Sequence, residues 1–415
     1  MKGRRLIITQ VLCALVTLSI VHVSFRGSST ESWSRLKPYV VVPWTNSGGA
    51  GGGHDDGDVN GDGDAGIPIV WKYKPQLDNI TAPYVKSIVN LNDTTLPRLQ
   101  CPTFNSSRYA YLKTAAAGKK DSHDVRYFFA LNLRQSEHLL PRLLGSIVEA
   151  ARFLGISSCA LSIVEGNSHD ATPRILTALQ PELKKIGLRY FLNLTDINPK
   201  VGERIDKLAQ LRNLALDPLS SPDVTADVDT TVVFVNDVAP CPDDLLELVH
   251  QRRLQSADMT CAMDWTYAGK DPTFYDVWVA RTLKGDSFFQ IPPDGSWNQA
   301  WDIFAGDPDT LHRYRQNLPF QVFACWNGAT AFSAGPILGL PGRPGSRGRG
   351  GARRQEYSDE ASTKIKKLKG FTSKWTAEED LPATRIDWQQ EPPAQWKCMH
   401  GWHDQVWVPW NQTLS

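Results

Sequence analysis

Between residues 125 and 265, short apolar runs alternate with segments whose apolar residues recur at helical spacing, and this limits the fold more than any other feature of the chain. Tyr127–Leu133 is a compact apolar run. Leu139, Leu140, Leu143, Leu144, Ile147, Val148 and Ala151 follow at intervals of three and four, the period of one helix face. The same arithmetic predicts strands at 160–164, 188–192, Thr231–Val235 and Met259–Met263. It predicts helices at 173–186, 205–216 and Pro242–Leu254. Strands that alternate with helices imply a mostly parallel sheet joined by right-handed crossovers, a Rossmann-type α/β class. In such a sheet, ligands bind outside the carboxyl ends of the strands.

Charge excludes one class of function. Lys+Arg total 45 against 44 Asp+Glu, so no bulk positive field gathers nucleic acid, and no nucleic-acid partner is expected. The 14 Trp residues suit a sugar-handling protein without demonstrating one. Residues 6–25 are mostly apolar and about long enough to span a bilayer. Lys2, Arg4 and Arg5 precede them, which places residues 1–5 in the cytosol and the rest across the membrane. A cleaved signal peptide is the rival reading. No small-x-small cleavage site is evident, so a retained signal anchor is expected. N-x-[ST] sequons at Asn79, Asn92, Asn105, Asn193 and Asn411 fit a lumenal chain. Outside the anchor, Cys101, Cys159, Cys241, Cys261, Cys325 and Cys398 can form up to three disulfides, whose pairing spacing alone leaves open.

Residues 26–70 read as a flexible stem. Within it, Asp56, Asp58, Asn60, Asp62 and Asp64 imitate a calcium loop, but Ile67 stands where the closing glutamate belongs. A pre-domain segment at 71–124 leads into the main domain at 125–340. A Gly- and Arg-rich run at 341–356 interrupts it, and 357–415 read as its C-terminal part.

The chain lacks a P-loop, a dinucleotide-binding glycine fingerprint after a strand, a nucleophile elbow and an H-E-x-x-H helix. The strongest candidate is therefore the end of the clearest strand, where Asn236 and Asp237 follow Val235. An acid there can hold a divalent cation against a diphosphate, with Asn236 adding a neutral oxygen. Capping of the Pro242 helix or an Asx turn is the plainer alternative. Asp264 follows the next strand. Arg281 can pair with phosphate through its planar fork, or with Asp276 within the chain. Trp326 and Asn327 offer an aromatic face and an amide suited to a sugar, or a buried ring and a turn.

Taken together, these blocks resemble the fungal family of cryptococcal-type α-1,3-mannosyltransferases and capsule-associated proteins. The matching segments are 130–137 (ALNLRQSE), 162–170 (SIVEGNSHD), 208–213 (LAQLRN) and 234–238 (FVNDV). They continue with 261–264 (CAMD), 274–281 (FYDVWVAR) and 321–328 (QVFACWNG). The resemblance implies a GT-A-like fold and a single-pass type II protein of the Golgi or secretory pathway. It implies transfer of mannose from GDP-mannose to a mannose-containing glycan, with an α-1,3 product, retained anomeric configuration and a divalent cation, most plausibly Mn2+. By position, Asp237 would hold the metal. Asp264, Arg281 and Asn327 would serve the transfer, and Asn132, Arg134, Glu165, Asn236 and Trp326 would line the donor site. One departure stands out: in the family a Cys- and Glu-rich stretch follows the Trp-Asn-Gly block, and here the Arg-Gly run replaces it. A mis-joined gene model or a true deletion explains this equally. The second leaves open a catalytically inactive paralogue that binds glycans or scaffolds other transferases.

Overall fold

The computed structural model describes residues 39–43, 77–99, 101, 106–116, 124–268, 271–339, 356–357, 375–376, 385–389 and 391–410. The expected anchor, the Asp-rich run at 56–67, residues 341–355 of the Arg-Gly run, Asn105 and Asn411 lie outside them. Among the described residues no helix is long and apolar enough to cross a membrane. The sequons at Asn79, Asn92 and Asn193 all sit on exposed positions.

Strand β1 (Tyr39–Pro43) lies within the segment expected as stem. Helices α1 (Thr81–Val89) and α2 (Ala110–Ala116) precede the alternating region. There the order is β2 (Tyr127–Leu133), α3 (Leu140–Leu154), β3 (Cys159–Gly166), α4 (Thr172–Lys185), β4 (Arg189–Thr195), α5 (Arg204–Leu216), β5 (Thr231–Val235), α6 (Pro242–Leu254) and β6 (Met259–Met263). A small hairpin, β7 (Trp265–Ala268) and β8 (Asp271–Phe274), leads to α7 (Pro308–Arg315), β9 (Phe320–Val322) and β10 (Ala329–Ser333). After the two-residue pair β11 (Glu356–Tyr357) and β12 (Trp375–Thr376), the hairpin β13 (Gln395–Gly401) and β14 (Asp404–Pro409) ends the described chain.

Eight strands form one sheet in the order β4-β3-β2-β5-β10-β6-β1-β9. The pairs β2·β3, β3·β4, β2·β5 and β1·β6 are parallel. The mostly parallel expectation holds, with two exceptions: β10 runs antiparallel between β5 and β6, and the edge strand β9 runs antiparallel to β1. A chain that arrives from beyond the sheet, rather than through a helical crossover, can enter a gap in either direction. The reversed strand brings the 325–328 loop to the carboxyl ends of β5 and β6.

Strands β2, β3, β5 and β6 are buried on both faces, and the two-residue period divides their side chains between two cores. Tyr127, Phe129, Leu131 and Leu133 face one core, with Leu161, Ile163, Val233 and Val235. Helices α3, α4 and α6 cover that face with residues such as Leu143, Ile147, Leu176 and Leu246. Phe128, Ala130, Val164, Val232 and Phe234 face the other core. That side is closed by Leu211 and Ala215 of α5 and by a ring cluster of Phe274, Phe288, Phe304 and Phe320. Phe274 and Phe288 stack at 4.9 Å. Each fully buried large side chain contributes about 1.5–3 kcal/mol.

Two ties fix the pre-domain segment. Arg108 makes a bidentate pair with Glu247 of α6, with N···O distances of 2.7 and 2.6 Å, and the Tyr109 hydroxyl donates to the same carboxylate at 2.8 Å. The Cys101–Cys241 disulfide joins the segment to the first residue before α6. At the other end, β13 docks on residues 281–291. Lys397 N donates to Gly285 O at 2.7 Å, and the Lys397 ammonium meets Asp286 and Gln290.

Candidate functional site

The carboxyl ends of β2, β3, β5 and β6 share one edge of the sheet, as the parallel registers require. Beyond β5, Asn236 turns the chain. Its N–H donates to Gly328 O at 2.9 Å, and its Nδ2 donates to Asn327 O at 2.7 Å. Asn327 is fully buried at φ +30°, and its Nδ2 donates to Ala262 O. The two asparagines thus clamp the ends of β5, β10 and β6 together. The disulfide Cys261–Cys325, a pairing the sequence left open, braces the same corner.

Three acids gather at that clamp. Asp237 projects from the β5 end into solvent. Asp264 follows β6 and is 8% exposed, with Oδ1 buried and without a hydrogen-bond partner. A Cβ added to Gly328 would lie 2.8 Å from Val238 and 3.1 Å from the Asp264 Cβ, so only glycine lets the two chains pass this closely. Burial raises the Asp264 pKa well above the carboxylate range, and the charges of Asp276 and Asp237 raise it further, against the Asp264 and Gly328 amides. Asp276 lies in the loop after β8. Burial pushes its pKa up to about 6, opposed by Arg212 and Arg281. Arg212, from α5, is itself lowered to about 10 by burial, with Asp276 opposing, and lies 5.1 Å over the Trp326 ring. Asp276 was visible in the sequence only as a pairing partner for Arg281. Arg212 carried no strand-end signal, because a helix delivers it.

A second group lies at the ends of β2 and β3, where Leu133 pairs with Glu165. Glu165 is 3% exposed and accepts from Ser168 N at 2.7 Å, and burial raises its pKa against the Ser168 hydrogen bonds. Asn132 Oδ1 and Arg134 Nε are buried with no hydrogen-bond partner. The two loops here are laced together. Gln135 N donates to Ser168 Oγ at 2.8 Å, and Glu137 N donates to Asp170 Oδ2 at 3.1 Å. Asp170 also accepts from Thr172 N at 3.0 Å, just ahead of α4.

Three expected site residues take other positions. Arg281 is 1% exposed, and its guanidinium donates to the carbonyls of Val277, Trp278, Ala280 and Lys397. With four donors bonded to main chain inside the core, it is a structural tie rather than a phosphate ligand. Trp326 is 5% exposed and packs at 5.3 Å against Phe234 in the core, so its ring presents no open face to a sugar. Asn327 holds the clamp and is closed to solvent.

Among the described residues no group of three or more His, Cys, Asp or Glu is arranged to hold a metal ion. A cavity of about 420 Å³ lies over the edge strand β4, lined by Tyr190, Phe191, Leu214 and Pro218, and none of the acids borders it.

The chain matches the family model described as Cryptococcal mannosyltransferase 1 over residues 126–374. It is similar to alpha-1,3-mannosyltransferase CMT1 of Cryptococcus neoformans var. neoformans serotype D, with 36% identity over 241 residues. That match covers 56% of this chain and 50% of the relative, so the chain spans about half the length of the curated relative. No solved structure matches.

Proposed function

We propose a function from one premise: the chain belongs to the cryptococcal mannosyltransferase 1 family, whose model matches more than half of it. It transfers mannose from GDP-mannose to a mannose-containing glycan, making an α-1,3 linkage with retained anomeric configuration. The domain is GT-A-like, and the protein is a type II membrane protein of the Golgi or secretory pathway. The observation that carries the reading is the convergence of Asp237, Asp264 and Asp276 where β5 and β6 end, with a buried Asp264 oxygen that has no partner. An acidic cluster at a strand-end crevice is where a nucleotide-sugar diphosphate and its cation are expected.

Asp237 and Asp264 would give a divalent cation two carboxylates, with its remaining ligands supplied by the donor diphosphate and water. Carboxylate oxygens are the hard ligands that Mn2+ and Mg2+ take, and the like charges that raise the Asp264 pKa are what a cation relieves. Asp237 and Asp264 would hold it, and a cation bound there would neutralise charge on the departing diphosphate. Arg134 and Glu165, at the neighbouring strand ends, would orient the nucleoside diphosphate. Asn236 shapes the β5 turn and keeps Asp237 outward.

Purified full-length chain is assayed for GDP-mannose turnover with manganese and with chelator. Asp237→Ala should remove the metal-dependent part while leaving the fold intact, since Asp237 is exposed. Full activity in that variant removes Asp237 from the mechanism. A wild-type chain with no metal-dependent turnover would support an inactive, glycan-binding paralogue instead.

A further inference from the structure

We propose that Tyr275 and Trp278, the latter braced by Trp402, form a stacking site for a pyranose ring of the acceptor glycan, beside the acid cluster; this rests on the transferase reading above.

Residues 274–280 alternate sharply in exposure. Phe274, Val277 and Ala280 are fully buried, whereas Tyr275 is 53% and Trp278 41% exposed. The loop has been given anchors, and its two largest aromatic side chains are not among them. It is also held still. Tyr275 N donates to Asp264 O at 3.0 Å and Val277 N to Tyr275 O at 2.9 Å. The buried Arg281 guanidinium grips the carbonyls of Val277, Trp278 and Ala280 from beneath. This gives Arg281 a positioning role: it fixes the loop that carries Tyr275, Asp276 and Trp278.

Trp278 is fixed from above as well. Its ring lies 4.1 Å from that of Trp402, at an interplanar angle of 31°. Trp402, in the turn between β13 and β14, lies directly on Gly295, where an added Cβ would come within 2.6 Å of the indole. This tilted contact holds the Trp278 ring in place before any ligand arrives, which lowers the ordering cost of binding. Tyr275 is the end of the site that meets the acids: its N–H donates to Asp264 O at 3.0 Å, and Asp276 is the next residue.

An aromatic face edged by carboxylates has the chemistry of a sugar site. The C–H face of a pyranose lies on the rings, and its hydroxyls donate to the acids. A membrane surface is the wrong partner, because anionic headgroups meet like charge here. A protein interface needs on the order of 1,000 Å² of complementary surface, far more than two or three exposed rings supply.

The test uses full-length protein with GDP and manganese present, and α-mannobiose as probe. Tryptophan fluorescence reports binding, and acceptor KM is measured in parallel with donor hydrolysis in the absence of acceptor. Trp278→Ala and Tyr275→Ala should each weaken mannobiose binding and raise acceptor KM roughly tenfold, while leaving donor hydrolysis unchanged. Trp278→Phe should recover most of the loss. Arg281→Lys should raise acceptor KM by loosening the loop. Mannobiose affinity that is absent in the wild type, or equal in wild type and both alanine variants, would overturn the proposal even where donor turnover holds. So would a fluorescence response to choline, which also suits rings beside acids, without one to mannobiose. Loss of donor hydrolysis in the wild type, with mannobiose binding intact and sensitive to Trp278, would sink the transferase reading and leave the sugar site standing.

Discussion

Asp276 ties the stability of this protein to its proposed chemistry. Burial moves its pKa from 3.8 to about 6, against the pull of Arg212 and Arg281. The folded chain therefore holds this proton more tightly than the unfolded chain. Stability falls as pH rises from about 4 to about 6, and above that the buried carboxylate weighs on the fold by a constant amount. A shift of about two units corresponds to about 3 kcal/mol. Asp276→Asn removes the charge and keeps the shape. Arg212 loses a favourable neighbour at the same time, so about 3 kcal/mol is a ceiling. The expected gain is about 1–3 kcal/mol near neutral pH, fading to nothing below about pH 4. Thermal unfolding followed by intrinsic fluorescence across that pH range reads it directly. Each kcal/mol moves the midpoint by roughly 2–4 °C in a domain of this scale. Metal-dependent turnover of GDP-mannose in the same samples should fall, because the cluster loses one of its acids. An asparagine variant that is less stable than wild type, by the same margin at every pH, would refute the reasoning. The carboxylate would then be a net structural asset through Arg212.

Three further outcomes are expected. Arg108→Met should destabilise the fold by about 3–5 kcal/mol by leaving the Glu247 carboxylate buried and unpaired, and adding Glu247→Leu should restore most of it in urea unfolding. Gly285→Ala should destabilise by more than about 2 kcal/mol, because φ is +78° and a Cβ would lie 2.1 Å from Gln395 O; limited proteolysis should then release the β13–β14 hairpin first. Cys101→Ser should lower stability by about 2–5 kcal/mol, since the disulfide closes a loop across a sequence separation of 140; equal unfolding midpoints for wild type and variant under oxidising conditions would show that the pre-domain segment is held without it.

The order of strands and helices from Tyr127 to Met263 was legible because periodicity is a local property. Tyr127–Leu133, Thr231–Val235 and Pro242–Leu254 emerge with their expected ends, since apolar runs and a proline at the first helical turn are written in consecutive residues. The strand-end acids Asp237 and Asp264 were legible for the same reason. What the sequence left undecided depends on meetings between distant segments. The reversed course of β10, the pairings Cys101–Cys241 and Cys261–Cys325, and the arrival of Asp276 and Arg212 at the acid cluster are all long-range outcomes. Arg281 shows the difference most clearly. Its residue type suits a phosphate, and only packing decided that its guanidinium would lie in the core, bonded to four carbonyls and holding the loop instead. A side chain's chemistry is fixed by its identity, but its use is fixed by what surrounds it, and that is decided when the chain closes on itself.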